Sequence, residues 1–313
     1  MKTTFPRKTL IHNAYKKDKN HGHFFTISVI ILCTILMLVE IGVNGWKFES
    51  FSENPMLGPS LETLMKLGAK SNDRILNYGE YYRFFTAMFL HGGIIHFALN
   101  MFALKHIGFE LENEYGWFRV SIIYFLGGIT SFICSGLFAP LQISVGASGS
   151  IFALFGSLWG DLIQNVSVND DNCRTFIILF ISTAINLSIG LVPYVDNHSH
   201  IFGFISGLLL SFPLLIRTRY NRDGSIRKNR YIYQSLLQFV SICFFPVMLY
   251  CVTMVFYNNK DGEFYCEPCE RISCIELKEE WYSCSPCFIS SYDFSYQLSE
   301  GSFTITCPGD TIS

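Results

Sequence analysis

The run Val145-Gly146-Ala147-Ser148-Gly149-Ser150-Ile151-Phe152 sets a serine between two glycines at the mouth of an apolar stretch. A serine hydroxyl is a weak nucleophile until a base stands close enough to take its proton. A candidate base lies in His198-Ser199-His200-Ile201-Phe202-Gly203, where His200 occupies the mouth of another apolar stretch. An imidazole so placed would accept the serine proton during attack and return it to the leaving group. A third segment, His91-Gly92-Gly93-Ile94-Ile95-His96-Phe97-Ala98-Leu99-Asn100, puts His96 and Asn100 one helical turn apart on one face. With the Ser148 backbone amide, these two could aim hydrogen-bond donors at a developing oxyanion. The chemistry implied is acyl transfer. His91 falls off the shared face and belongs to the preceding loop.

Each segment also has a plainer reading. Gly149, Ala153, Gly156 and Gly160 form a small-residue stripe of the kind that packs membrane helices, and Ser148 could simply extend it. His96 and Asn100 could be polar glue between helices, and His200 could bond water or a neighbouring carbonyl. Gly203 and Gly207 alter the balance, because they make a matching small face beside His200. Two such faces permit close backbone approach, which would bring Ser148 and His200 to about hydrogen-bonding separation.

The elements that would carry these residues are membrane helices. Half of the 313 residues are hydrophobic and 15% are charged, which excludes an ordinary soluble domain. Apolar runs at 24–43, 94–107, 117–138, 148–163, 175–192, 201–216 and 231–257 predict an all-α polytopic membrane protein with seven spans. The second, fourth and sixth are shorter than the ~20 residues of a full crossing, so their polar mouths are expected below the membrane surface. Basic residues crowd into residues 1–23 and into 217–230, which the positive-inside rule places in the cytosol. Six crossings separate those segments, so Ser148 and His200 open their helices at the same, non-cytosolic face. The first span lacks a small-residue cleavage site and reads as a retained signal anchor. A net charge of −2 gives no reason to expect a nucleic-acid partner.

The division expected is a basic amino-terminal segment (1–23), a six-helix core (24–216) with an external loop (44–89), a cytosolic basic loop (217–230), a seventh helix (231–257) and a non-cytosolic tail (258–313). In the loop, Glu80-Tyr81-Tyr82-Arg83-Phe84-Phe85 suits the headgroup layer. The tail holds Cys266, Cys269, Cys274, Cys284, Cys287 and Cys307. Its paired CxxC spacing is close to that of a zinc ribbon, but an oxidising compartment favours three disulfides, whose pairing cannot be read from spacing. Cys33, Cys134, Cys173, Cys243 and Cys251 read as packing residues. Asn197-His198-Ser199 is a formal glycosylation site set too near the membrane for use.

With these segments in place, the chain resembles the rhomboid intramembrane serine proteases, over about residues 54–216 plus the extra carboxyl-terminal helix. Tyr82-Arg83 stands where that family usually has Trp-Arg, His91, His96 and Asn100 match HxxxxHxxxN, Gly146 to Gly149 matches GxSG, and His200 with Gly203 matches AHxxG. The resemblance implies Ser148 as nucleophile, His200 as general base, and His96, Asn100 and the Ser148 amide as the oxyanion hole. It implies structural roles for Arg83 and His91, and no cofactor or metal. Phe152 replaces a frequent tyrosine, keeping a stacking face while losing a hydroxyl. A seventh helix after the core resembles the eukaryotic secretory-pathway class, which implies a Golgi, endosomal or plasma-membrane setting and single-pass transmembrane substrates within the lipid.

Two other classes remain. A pseudoprotease that binds membrane clients on the same fold is opposed by the intact Ser148 and His200. A transporter using His96, Asn100 and His200 would want acidic residues in the helices, where the runs above leave Asp161 almost alone.

Overall fold

The computed structural model describes residues 22–51, 54–140, 142–167, 171–190, 195–217 and 231–258, with the backbone of 295–299 and 302–306. The amino-terminal basic cluster, most of the basic loop and the cysteines of the tail lie outside the described residues. The long helices are α1 (Phe24–Val43), α5 (Ile94–Tyr115), α6 (Trp117–Phe138), α7 (Ser148–Gln164), α8 (Asn172–Ile189), α9 (Asn197–Leu214) and α10 (Ile232–Asn258). Between α1 and α5 the external loop folds into three short helices, α2 (Leu61–Leu67), α3 (Asn72–Tyr78) and α4 (Arg83–Thr86). The strands among the described residues, β1 (Ser295–Ser299) and β2 (Ser302–Thr306), pair antiparallel in the tail with Leu298 opposite Phe303.

Among the described residues, three helices, α1, α6 and α10, are long and apolar enough to cross a membrane by themselves. The others are held among them, and the bundle is apolar outward: Ile31, Ile35, Phe176, Ile181, Phe239 and Val247 are exposed on α1, α8 and α10. Bands of this size on a water-soluble monomer would drive association; around a bundle they face hydrocarbon.

The interior is built from small residues. A Cβ on Gly203 would collide with the Gly149 carbonyl, one on Gly207 with the Ala153 carbonyl, and one on Gly156 with the Phe204 carbonyl. On the other flank of α7, Gly127 admits Ala153 and Gly128 admits Ser150 from α6. Helices α6, α7 and α9 therefore meet backbone to backbone, where dispersion and hydrogen bonding replace the hydrophobic effect as the force between helices.

The second run extends further than its apolarity suggested. Helix α5 continues to Tyr115 and stops at Gly116, whose φ of 80° breaks the helix and starts α6 at once. The added turns carry Glu112, whose carboxylate accepts from Phe25 N at 2.7 Å and Thr26 N at 2.9 Å. A distant side chain thus satisfies amides at the start of α1 that no intrahelical carbonyl can reach. Helix α10 lies along α9 and α6: Gln234 donates to the Gln164 carbonyl at 2.8 Å, Ser241 to Leu209, and Phe256 packs on Phe84 at 5.5 Å.

Candidate active site

Ser148 is the first residue of α7, where the opening amides have no intrahelical acceptor and the helix dipole favours negative charge. Its approach is fixed by Gly146, which has φ 132° and donates its amide to the Ala87 carbonyl at 2.8 Å. Glycine is required there on two counts. The conformation is left-handed, and a Cβ would lie 2.8 Å from Cε1 and 3.0 Å from Nε2 of His96, and 3.6 Å from Ser148 Oγ. Those distances bring the His96 ring and the Ser148 hydroxyl together around the space that a side chain at 146 would fill.

His200 reaches the same place from α9. Its ring lies flat on Phe152, one turn beyond Ser148, with centroids 4.1 Å apart and 11° between planes. The Gly149–Gly203 contact sets the depth of that approach, since Gly149 follows Ser148 and Gly203 is one turn past His200. Asn100 stands one turn along α5 from His96, and its Nδ2 is buried with no protein acceptor; His200 Nδ1 is likewise buried without a protein partner. Ser148, Gly146, Gly149, Phe152, His200 and His96 thus converge at one end of the bundle, with Asn100 one turn behind His96.

Arg83 lies elsewhere, while His91 borders His96. Arg83 is buried, not set among headgroups: Nε donates to Glu80 at 2.6 Å, Nη2 pairs with the same carboxylate at 2.6 Å, and Nη1 donates to the Met65 and Ala69 carbonyls at 2.9 and 2.8 Å. Its guanidinium is the hub that ties α4 to α2, and its hydrogen bonds hold the Glu80 carboxyl below the usual range. The His91 ring contacts His96 edge-on at 5.5 Å while its amide donates to Glu40 of α1 at 3.0 Å. Burial, with His96 nearby, pushes its pKa down to about 3, so the ring stays neutral. His91 packs beside a residue of the site, and Arg83 organises the external loop.

Asp161 is not almost alone among helical carboxylates, since Glu40 and Glu112 are both fully buried. Each is committed to structure: Glu40 to the His91 amide, Glu112 to the start of α1, and Asp161 to Arg217, Tyr115 and Asn165 at the far end of α7. Arg217 Nη2 and Asp161 Oδ2 are 2.6 Å apart. Among the described residues, no chain of acidic groups runs from that end to Ser148.

Sequence reasoning missed Asp196, Ser135, Ser144 and Lys70. Asp196 is the cap residue of α9, its Oδ1 accepting from Ser199 N at 3.0 Å. An aspartate ahead of an apolar helix is a start signal that could have found it. Asn197 is buried at the first position of α9, which closes the formal glycosylation site to modification.

A bundle of apolar helices with a serine and a histidine at neighbouring mouths defines an integral membrane protein of the intramembrane-protease type. The Rhomboid domain family model matches residues 78–217, the span that contains Ser148, His200, His96, Asn100, Arg83 and His91. The chain is 34% identical to RHOMBOID-like protein 4 of Arabidopsis thaliana, over 82% of this chain and 67% of that protein. It is 37% identical to RHOMBOID-like protein 2 of the same plant, over 74% and 75% respectively. The chain belongs to the rhomboid family. Similarity also extends to a relative named Inactive RHOMBOID-like protein 8, at 28% identity over 83% of this chain.

Proposed function

We propose that this chain is an active intramembrane serine endopeptidase that cuts transmembrane segments of single-pass membrane proteins. The observation that carries the reading is the convergence of Ser148, His96 and His200 around Gly146 and Phe152. His200 takes the proton of Ser148 Oγ as the oxygen attacks the scissile carbonyl. The tetrahedral oxyanion is met by the Ser148 amide, His96 and the Asn100 Nδ2 group. Collapse expels the amine, which leaves with the proton held by His200, and water repeats the sequence on the acyl-enzyme.

A helical substrate keeps its carbonyls in hydrogen bonds, so the cut segment must unwind at the site. Entry past α8 is the route we favour, because Leu179 is the buried side chain among the described residues of that helix, its contacts being Phe155, Leu162 and neighbours. Our reading places the amino terminus in the cytosol, the site and the carboxyl terminus outside it, and the protein in the secretory pathway.

The test compares purified wild type, Ser148→Ala and His200→Ala on a transmembrane substrate in proteoliposomes, with fluorophosphonate labelling alongside. Cleavage by wild type alone is the expected result. Cleavage by either variant at the wild-type rate would refute the dyad, and inert wild type would favour a client-binding role.

A further inference from the structure

Ser144 stands four residues ahead of Ser148, and Asp196 stands four residues ahead of His200. The two are joined: Ser144 Oγ donates to Asp196 Oδ2 at 2.7 Å. Ser135, in the last turn of α6, donates to the same oxygen. The other oxygen, Oδ1, accepts from Ser199 N, and the Asp196 carbonyl accepts from His200 N at 3.3 Å. One residue is therefore bonded by the end of α6, the segment entering Ser148, and the first turn of α9. A carboxylate with three donors around it is held in orientation as well as position.

The segment entering Ser148 is rigid on its own account. Lys70 N donates to the Ser144 carbonyl at 3.0 Å and Ser144 N to the Lys70 carbonyl at 3.2 Å, a two-way bridge to the external loop. Lys70 is fully buried, and its Nζ donates to the carbonyls of Gln142 at 2.9 Å and Ala139 at 3.3 Å. Two residues on, Gly146 is held by Ala87. The Ser144–Asp196 bond then joins this fixed segment to the helix that carries His200.

We propose that Asp196 is a positioning residue for Ser148 and His200, its carboxylate holding the mouths of α7 and α9 in register through Ser144, Ser135 and Ser199. The proposal rests on reading that pair as the catalytic dyad. Asp196 touches no reacting atom. Its effect is on the separation of two groups whose misplacement by about 1 Å costs on the order of a hundredfold in rate. The α6–α7–α9 contact holds the helices together deeper in the bundle, so loss of Asp196 loosens the mouths and leaves the bundle assembled.

The experiment uses the full chain in proteoliposomes, with kcat and KM on a transmembrane substrate and hydrogen exchange of residues 142–148 and 195–200. Asp171 supplies the control, because it caps α8 by accepting from Arg174 N at 3.1 Å and lies away from the site. Asp196→Ala is expected to lower kcat about thirtyfold with KM within twofold, and to speed exchange in both segments together. Ser144→Ala is expected to do the same to a smaller extent. Asp196→Asn, which keeps an acceptor oxygen, should recover most of the rate, and Asp171→Ala should leave kcat unchanged. Asp196→Ala with the kcat of Asp171→Ala overturns the proposal, as does an asparagine variant as impaired as alanine, which would assign the effect to charge. Were wild type itself inert, the dyad reading would fall, and coupled exchange of the two segments would still support the positioning role while unchanged exchange would reject it.

Discussion

Phe152 lies flat against His200, 4.1 Å between centroids, from a position one turn along the helix that Ser148 begins. The stack makes the orientation of the base depend on the helix that carries the nucleophile. Aromatic pairs of this kind contribute ~0.5–1.5 kcal/mol beyond burial, about tenfold in rate at the upper end. Phe152→Leu keeps most of the volume and removes the flat face, so kcat should fall about tenfold and the melting temperature should drop modestly. Phe152→Tyr keeps the face and should stay within about threefold of wild type. Steady-state cleavage by both variants decides it: a leucine variant at full rate would remove the stack from the mechanism.

The packing of α7 on α9 makes a second prediction. A Cβ at position 203 meets the Gly149 carbonyl, which is backbone and has no side chain to swing aside. Gly203→Ala should therefore force the mouths apart, at a cost of about 1–3 kcal/mol for overpacking, and abolish fluorophosphonate labelling of Ser148. Gly42 is the comparison, since a Cβ there finds Trp46 at an ordinary 3.5 Å. Gly42→Ala should label and melt like wild type.

The helices, and the residues that the structure gathers at the candidate site, were legible in the sequence because both are local patterns. Apolar runs mark spans, and His96, Asn100, Gly146, Ser148 and His200 each sit in a short motif. The end of α5 was not legible, because Glu110, Glu112 and Glu114 lower the apolarity of a segment in which the fold nevertheless buries Leu111, Glu112 and Tyr115. Glu112 has its reason at Phe25 and Thr26, about 87 residues away in sequence. Arg83 read as a headgroup residue because it stands among tyrosines and phenylalanines. Its acceptors, the Met65 and Ala69 carbonyls, come from a helix and turn that an apolarity scan passes over. Ser144 and Lys70 were hidden for the same reason, because their function is in the contacts between segments, and Asp196 carried only its helix-start signal.

Arg83 gives a third prediction. Four of its hydrogen-bonding contacts use the planar fork, which a lysine ammonium cannot reproduce. Arg83→Lys should destabilise the loop and lower both melting temperature and activity. Arg83→Ala, which takes this donor from the Met65 and Ala69 carbonyls and leaves Glu80 with Tyr82 alone, should cost more, about 3 kcal/mol or above. Melting in detergent with limited proteolysis of residues 44–89 reads the effect; an alanine variant as protease-resistant as wild type would contradict it.

At the other end of the bundle, Asp161 and Arg217 form a buried pair with Tyr115 and Asn165. Asp161→Ala takes the nearest carboxylate from Arg217, which keeps Glu114 at 3.4 Å, so the variant should be destabilised by about 1–3 kcal/mol. Because the pair is remote from Ser148, kcat per labelled active site should be unchanged. Titrating active sites with a fluorophosphonate separates the two quantities. A fall in kcat per site would tie this network to the chemistry.

Lys70 supplies the pH dependence. Burial pushes its pKa down to about 8 from 10.5, against the opposing pull of Asp196. A lysine with a folded-state pKa below its unfolded value binds fewer protons when folded, so unfolding takes protons up between the two values. Stability contributed at this position is therefore flat below pH about 8 and rises with pH from about 8 towards 10.5. Lys70→Met has no such titration. The melting temperature of wild type relative to Lys70→Met should climb across that window, by an amount corresponding to a few kcal/mol at about 1.4 kcal/mol for each pH unit. Parallel curves for the two proteins would show that Lys70 titrates in the folded state as it does in water, and that its burial between the external loop and the strap entering Ser148 carries no electrostatic cost.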